Sequence, residues 1–108
     1  MEMRLREQDA DGFVTVVLEG DCDLYSAPKM KSAIITRIGL GVRRLRLDFN
    51  RVPYLDSTGV GSIIQILQAM KAASGEIVFR GIVGAPRKVL ELSSVISIMS
   101  IEPSEGAR

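Results

Sequence analysis

The stretch Leu45-Arg46-Leu47-Asp48-Phe49, then Asn50-Arg51-Val52-Pro53-Tyr54, then Leu55-Asp56-Ser57-Thr58-Gly59-Val60-Gly61-Ser62-Ile63-Ile64, changes its periodicity partway. Leu45, Leu47 and Phe49 alternate with Arg46 and Asp48, the two-residue repeat of a strand. Beyond Asp56, the residues Val60, Ile63, Ile64, Leu67 and Met70 form one apolar helix face, with Gln65, Gln68 and Lys71 on the opposite side. The bridging loop carries Pro53, and the helix begins with an acidic residue, two hydroxyls and two glycines. A strand that feeds a helix in this way opens a β-α-β unit and so predicts parallel strand pairing.

Turn signals divide the rest of the chain. Asp11-Gly12 separates Met3–Gln8 from Phe13–Glu19 and reads as a hairpin turn. Phe13-Val14-Thr15-Val16-Val17-Leu18 is almost continuously apolar, as expected of a strand covered on both faces. Gly20–Tyr25 is a loop. Ser26-Ala27-Pro28 reads as a helix start, with a hydroxyl cap and an early proline. Ala27, Met30, Ile34 and Ile38 supply the stripe of that helix, and Gly39 and Gly41 end it. Downstream, Ser74-Gly75 closes the second helix, Glu76–Arg80 is a strand, Ala85–Leu92 a short helix and Ser97–Ile101 a last strand. Glu102–Arg108 reads as a frayed tail. The order β-β-α-β-α-β-α-β predicts an α/β fold: a four- to five-stranded mixed sheet with three to four helices packed mainly on one face. Residues 1–108 suit one domain, with a core over about 3–102 and a tail over 103–108.

Composition narrows the function. There are 14 basic and 13 acidic residues, a formal charge of +1, which gives no electrostatic case for nucleic acid or an anionic membrane surface. The chain has no histidine, which removes a His-based triad and the commonest metal ligand, so neither a metal nor a cofactor is expected. Cys22 is the one cysteine and fits a reducing cytoplasm. No apolar run follows the N-terminus, so no signal peptide is expected. Gly20–Asp23 is no phosphate loop, and Leu55 two positions before Ser57 rules out a nucleophile elbow.

Several segments together resemble the STAS domain family, and within it the bacterial anti-sigma factor antagonists. Gly20-Asp21-Cys22-Asp23-Leu24-Tyr25-Ser26-Ala27 is similar to the family's Gly-Glu-x-Asp segment entering the first helix. Leu47-Asp48-Phe49 with Val52-Pro53-Tyr54-Leu55-Asp56-Ser57-Thr58-Gly59 is similar to its strand and phosphorylation loop. Gly81–Leu92 resembles its last helix region. Cys22 stands where the family is more often aliphatic, and Ser93-Ser94-Val95 replaces a common Ser/Thr-Gly-Leu turn. The resemblance implies a cytoplasmic regulator, not an enzyme, that binds an anti-sigma factor serine kinase, releases the sigma factor and is switched off by phosphorylation of Ser57. A PP2C-type phosphatase would reset it, and the protein would be a monomer or weak dimer without nucleic-acid or membrane partners. The rival reading within the family is a scaffolding subunit docked on a transporter ATPase or other regulatory complex.

On this reading Ser57 is the phosphorylated residue, and the partner surface comprises Asp21, Asp23, Tyr25, Ser26, Asp56, Ser57, Thr58, Gly59, Val60 and Gly61. The residues alone leave two readings of Ser57 open. It caps a helix, or it also carries a phosphate where helix amides and the dipole tolerate one. Asp21 and Asp23 are turn formers or interface groups. Thr58 is a first-turn hydroxyl or a second acceptor, Asp48 anchors the loop, Cys22 is a small buried hydrophobe, and Gly59 and Gly61 admit a close-approaching partner.

Overall fold

The structure, a computed structural model, describes residues 3–103. Four strands and three α-helices follow in order: β1 (Arg4–Ala10), β2 (Phe13–Glu19), α1 (Ala27–Gly39), β3 (Arg44–Arg51), α2 (Ser57–Ala72), β4 (Glu76–Arg80) and α3 (Gly84–Leu92). The sheet order is β1-β2-β3-β4; β1 runs antiparallel to β2, and β2, β3 and β4 are mutually parallel. Asp11 (φ 57°) and Gly12 (φ 79°) make the tight hairpin turn, where positive φ at both positions matches the strand twist.

The crossovers β2–α1–β3 and β3–α2–β4 step across the sheet in the same direction. Right-handed connections then put α1 and α2 on one face, and the two helices pack against each other there. Met30, Ile34 and Ile38 from α1, and Ile63, Ile66 and Met70 from α2, close over Val16, Leu18, Leu45, Leu47 and Phe49. Phe49 and Phe79 meet at 6.1 Å between ring centres.

Among the described residues the other sheet face carries no helix, yet Phe13, Thr15 and Val17 are buried on it. The near-continuous apolarity of β2 is therefore met by helices on one side and by arginines on the other. Arg44 and Arg46 lie over the Phe13 ring at 4.3 and 4.7 Å, and Arg46 donates to Thr15 Oγ1 at 3.1 Å. Long guanidinium stems shield the sheet while their heads stay polar.

Two expectations change at the C-terminus. Ser97–Ile101 is not a fifth strand. Ser94 adopts φ 64°, a 3-10 turn runs over Val95–Ile98, and only Ile101 forms a single parallel bridge to Phe79. Ser94 is thus a non-glycine residue in the left-handed region, at the place where the resembled family turn has glycine. Glu102 is not frayed either. Its N–H donates to the Phe79 carbonyl at 2.8 Å, and its carboxylate binds Arg46. The remainder of the expected tail, from residue 104 on, lies outside the described residues.

Candidate functional site

β2 and β3 are parallel and end side by side, so the loops leaving them lie together. Their ladder continues past the strands. Gly20 N–H donates to the Arg51 carbonyl (3.0 Å), Cys22 N–H to the Tyr54 carbonyl (2.9 Å) and Asp56 N–H to the Cys22 carbonyl (3.2 Å). Cys22 and Leu55 form a parallel bridge. The Gly20–Ser26 and Val52–Ser57 loops are therefore one stapled unit beyond the carboxyl ends of parallel strands, where open α/β sheets place their binding crevices.

Asp56, not Ser57, caps α2. Its backbone is extended (φ −109°, ψ −174°), and Oδ1 accepts the Gly59 N–H at 3.0 Å. Oδ2 accepts the Leu24 N–H at 3.1 Å, so the same carboxylate also ties down the neighbouring loop. Ser57 is the first helical residue. It is exposed, and its hydroxyl makes no hydrogen bond among the described residues. The Gly59 and Val60 amides are satisfied by Asp56, which leaves the Ser57 and Thr58 amides as the open donors of the first turn. Asp56→Ala is expected to cost about 1 to 2 kcal/mol, the value of a side-chain cap with a second bond lost beside it. Urea unfolding measures the loss, and faster hydrogen exchange at the Leu24 amide shows that the loop has come loose.

Ser26 occupies the cap position of α1, as expected, but its hydroxyl makes no capping bond. It already has helical dihedrals (φ −91°, ψ −30°), and its side chain turns back into the loop. Its Oγ accepts the Asp23 N–H (2.9 Å) and donates to the Asp21 carbonyl. Asp23 organises this turn: Oδ1 accepts the Tyr25 and Ser26 N–H groups, both at 3.0 Å, and its carbonyl accepts the Ala27 N–H at 2.8 Å. The Ser26 and Tyr25 amides hold the Asp23 carboxyl below its ordinary range, so it is an anion at neutral pH.

Cys22 is fully buried between these loops, its Sγ 4.0 Å from Met30 Sδ. Burial foremost, then the charges of Asp56 and Asp23, push its thiol up to about 12. It is a packing group and not a nucleophile.

The other expected partner residues divide by exposure. Gly59 and Val60 are buried. The lack of a side chain at Gly59 serves the fold, because a Cβ there would lie 2.4 Å from Leu55 Cδ1 and 2.9 Å from the Cys22 carbonyl oxygen. Gly61 faces open space. Asp21, Asp23, Asp56, Thr58 and Gly61 are partly exposed, Ser26 is buried, and Tyr25 stands out at 79% exposure. Two neighbours escape the sequence reading. Leu24 and Tyr54 are 61% and 49% exposed on the two stapled loops. Their signal was a large apolar residue in a loop, outside any strand or helix repeat. Asp48 does anchor the exit of β3, since Oδ1 accepts from the Asn50 N–H (2.9 Å) and Asn50 Nδ2 (2.8 Å).

The site thus presents the exposed Ser57 hydroxyl at the start of α2, three aspartates around Cys22, and the exposed side chains of Leu24, Tyr25 and Tyr54. Among the described residues no group of three His, Cys, Asp or Glu could hold a metal ion, and no helix is long and apolar enough to cross a membrane. A groove of about 680 Å³, lined by Leu67, Lys71, Ile77 and Ile98, lies toward the other end of α2 and shares no residue with these loops.

A family model described as the STAS domain matches residues 4–107. An anti-sigma-B factor antagonist of Listeria monocytogenes is 28% identical over 107 residues, 98% of this chain and 92% of the relative. The crystal structure of an anti-sigma factor antagonist from Mycobacterium paratuberculosis has a TM-score of 0.79 at 23% identity, covering 95% of this chain and 87% of the other. The Bacillus cell fate determinant SpoIIAA in its phosphorylated form has a TM-score of 0.70 at 22% identity, covering 93% and 92%. The shared fold is a four-stranded mixed sheet with three helices.

Proposed function

The chain belongs to the STAS domain family, and from that premise we propose that it is an anti-sigma factor antagonist whose binding to an anti-sigma factor serine kinase is switched off by phosphorylation of Ser57. The observation that carries this reading is the Ser57 hydroxyl: exposed, without a hydrogen bond to any described residue, and at the first residue of a helix already capped by its neighbour. A residue with no structural duty can be modified without unfolding the domain. Its relatives' names support the antagonist role, and the SpoIIAA relative is known in a phosphorylated form.

The charge arithmetic favours a switch at the interface. A phosphoserine adds about −1.5 to −2 charges. The open Ser57 and Thr58 amides and the helix dipole can accept it locally. Asp56 beside it and the anionic Asp23 on the stapled loop oppose it, so the end of the molecule becomes more negative while the core stays as it was. An incoming kinase surface matched to the unmodified loop then meets repulsion and added bulk. On this reading the protein is a substrate of its partner, and its buried Cys22 thiol takes no part in chemistry. A PP2C-type phosphatase restores the binding form.

The test is direct. With ATP, the cognate kinase phosphorylates wild type at Ser57 and leaves Ser57→Ala unmodified and bound. Ser57→Asp binds that kinase about tenfold more weakly, as a single misplaced interface charge would. Equal affinity of Ser57→Asp and wild type by titration calorimetry, together with no phosphate incorporation at Ser57, would sink the proposal.

A further inference from the structure

The arginines of the helix-free sheet face are not all alike. Arg44 pairs with Glu76 (3.4 Å), Arg46 with Glu102 (2.9 Å), and Arg80 with Glu102 (3.4 Å). Arg4 and Arg6 on β1 and Arg51 at the end of β3 are exposed and make no ion pair with any described residue. They line one shallow concavity of about 270 Å³ together with Val17 and Glu19. The register explains the clustering: Arg4 lies opposite Glu19, Arg6 opposite Val17, and Arg51 flanks Glu19 from β3. Among the described residues three guanidiniums thus surround one carboxylate, a local excess of two positive charges on a chain whose total is +1.

The position matters as much as the sign. Glu19 and Arg51 are the last residues of their strands, and the Gly20 amide bonds to the Arg51 carbonyl where the stapled loops begin. The patch therefore abuts the Ser57 end of the molecule, with the acidic loop on one side of the rim and the arginines on the other. We propose that Arg4, Arg6 and Arg51 form a second docking surface that takes an acidic patch on the anti-sigma factor and steers its approach to the Ser57 loops. This rests on the antagonist reading above. Arginine suits the task, because its planar fork binds carboxylates bidentately. Exposed rim charges act mainly on the association rate, through a field that salt screens. An excess of two charges is too little for a duplex or an anionic bilayer, and enough to orient a protein whose main contacts lie nearby.

The plain alternative is that these side chains only cover Val17 and its neighbours. The experiment separates the two. Association of the purified cognate anti-sigma factor is followed by stopped flow at low and high ionic strength, with wild type, with the triple variant Arg4→Gln/Arg6→Gln/Arg51→Gln, and with the corresponding triple lysine variant. The glutamine variant is expected to associate about tenfold more slowly at low salt, to lose most of the salt dependence and to keep its dissociation rate. The lysine variant, which keeps the charges, is expected to recover most of the rate, which a covering role alone would not require. Wild-type association kinetics in the glutamine variant, or a loss confined to the dissociation rate, overturns the inference and leaves the Ser57 switch standing. Failure of wild type itself to bind an anti-sigma factor overturns both.

Discussion

Glu102→Ala is expected to destabilise the fold by about 3 kcal/mol and to lower the melting temperature by about 10 to 20 °C. The reason lies in Arg46. Its side chain is 4% exposed, sandwiched between Phe13 and the Thr15 hydroxyl, and its charge is met by Glu102 through two bonds of 3.0 and 2.9 Å. Removing the carboxylate strands a buried guanidinium, which costs far more than the pair itself contributes. The cost sits at the lower end of that range for two reasons. Glu102 is itself 27% exposed, and Asp11 lies 3.8 Å from Arg46 Nη2 as a partial substitute. Thermal unfolding of the single variant is to be compared with Arg46→Met/Glu102→Leu. The double variant should regain most of the loss, because an apolar pair of similar size carries no desolvation cost.

The same pair sets a pH dependence. The hydrogen bond from Arg46 holds the Glu102 carboxyl below its ordinary value. A group whose pKa is lower in the fold binds fewer protons there than in the unfolded chain. Its contribution is complete at neutral pH, where both forms are ionised, and drains away as the pH falls through the ordinary glutamate range to the lowered value. A series of urea melts from neutral to acidic pH should show this decline in wild type and a shallower one in Glu102→Gln.

These contacts mark where local sequence stops being informative. The apolar repeats of α1 and β2 to β4 are legible because each residue's face follows from its own element, and the Asp11-Gly12 hairpin is legible from turn chemistry. In α2 the expected face holds at Val60, Ile63 and Met70 but misses the fully buried Ile66, while Ile64 and Leu67 are only partly covered. The caps are not. Asp56 and Ser57 are both good cap types. Which of them is extended depends on the register of the Cys22–Leu55 bridge, a contact between residues far apart in sequence. The Ser26 hydroxyl makes no capping bond for the same kind of reason, since Asp23 claims its turn first. Ile96, Ile98 and Ile101 resemble a strand in composition, but Ser94 turns the chain into a 3-10 segment that reaches the β4 edge only at Ile101. The order of Glu102 depends on a partner 56 positions away. The helix start at Asp56-Ser57 was legible, and its capping arrangement was not.

Gly59 and Gly61 look equivalent in the sequence Gly59-Val60-Gly61, and substitution should send them in opposite directions. Gly59→Val is expected to cost about 1 to 3 kcal/mol. Its Cβ would sit 2.4 Å from Leu55 Cδ1, and 2.9 Å from both the carbonyl oxygen and the Sγ of Cys22. The leucine methyl can swing aside. The carbonyl cannot, because it accepts the Asp56 N–H and holds the two loops in register. Relief must come from moving α2 away from the loops, an overpacking cost of about 1 to 3 kcal/mol that the small gain in helix propensity of valine over glycine offsets only in part. Gly59→Ala keeps the clash but gains about 1 kcal/mol of helix propensity, so its loss should be smaller. At Gly61 nothing lies within 4 Å of the new Cβ. Gly61→Ala collects the propensity gain with no steric charge against it and should stabilise by about 0.5 to 1 kcal/mol. Chemical denaturation of the three variants decides the matter by sign. A Gly59→Val protein as stable as wild type would mean that α2 does not press on the Cys22–Leu55 bridge, and the account of how Ser57 is positioned would fall with it.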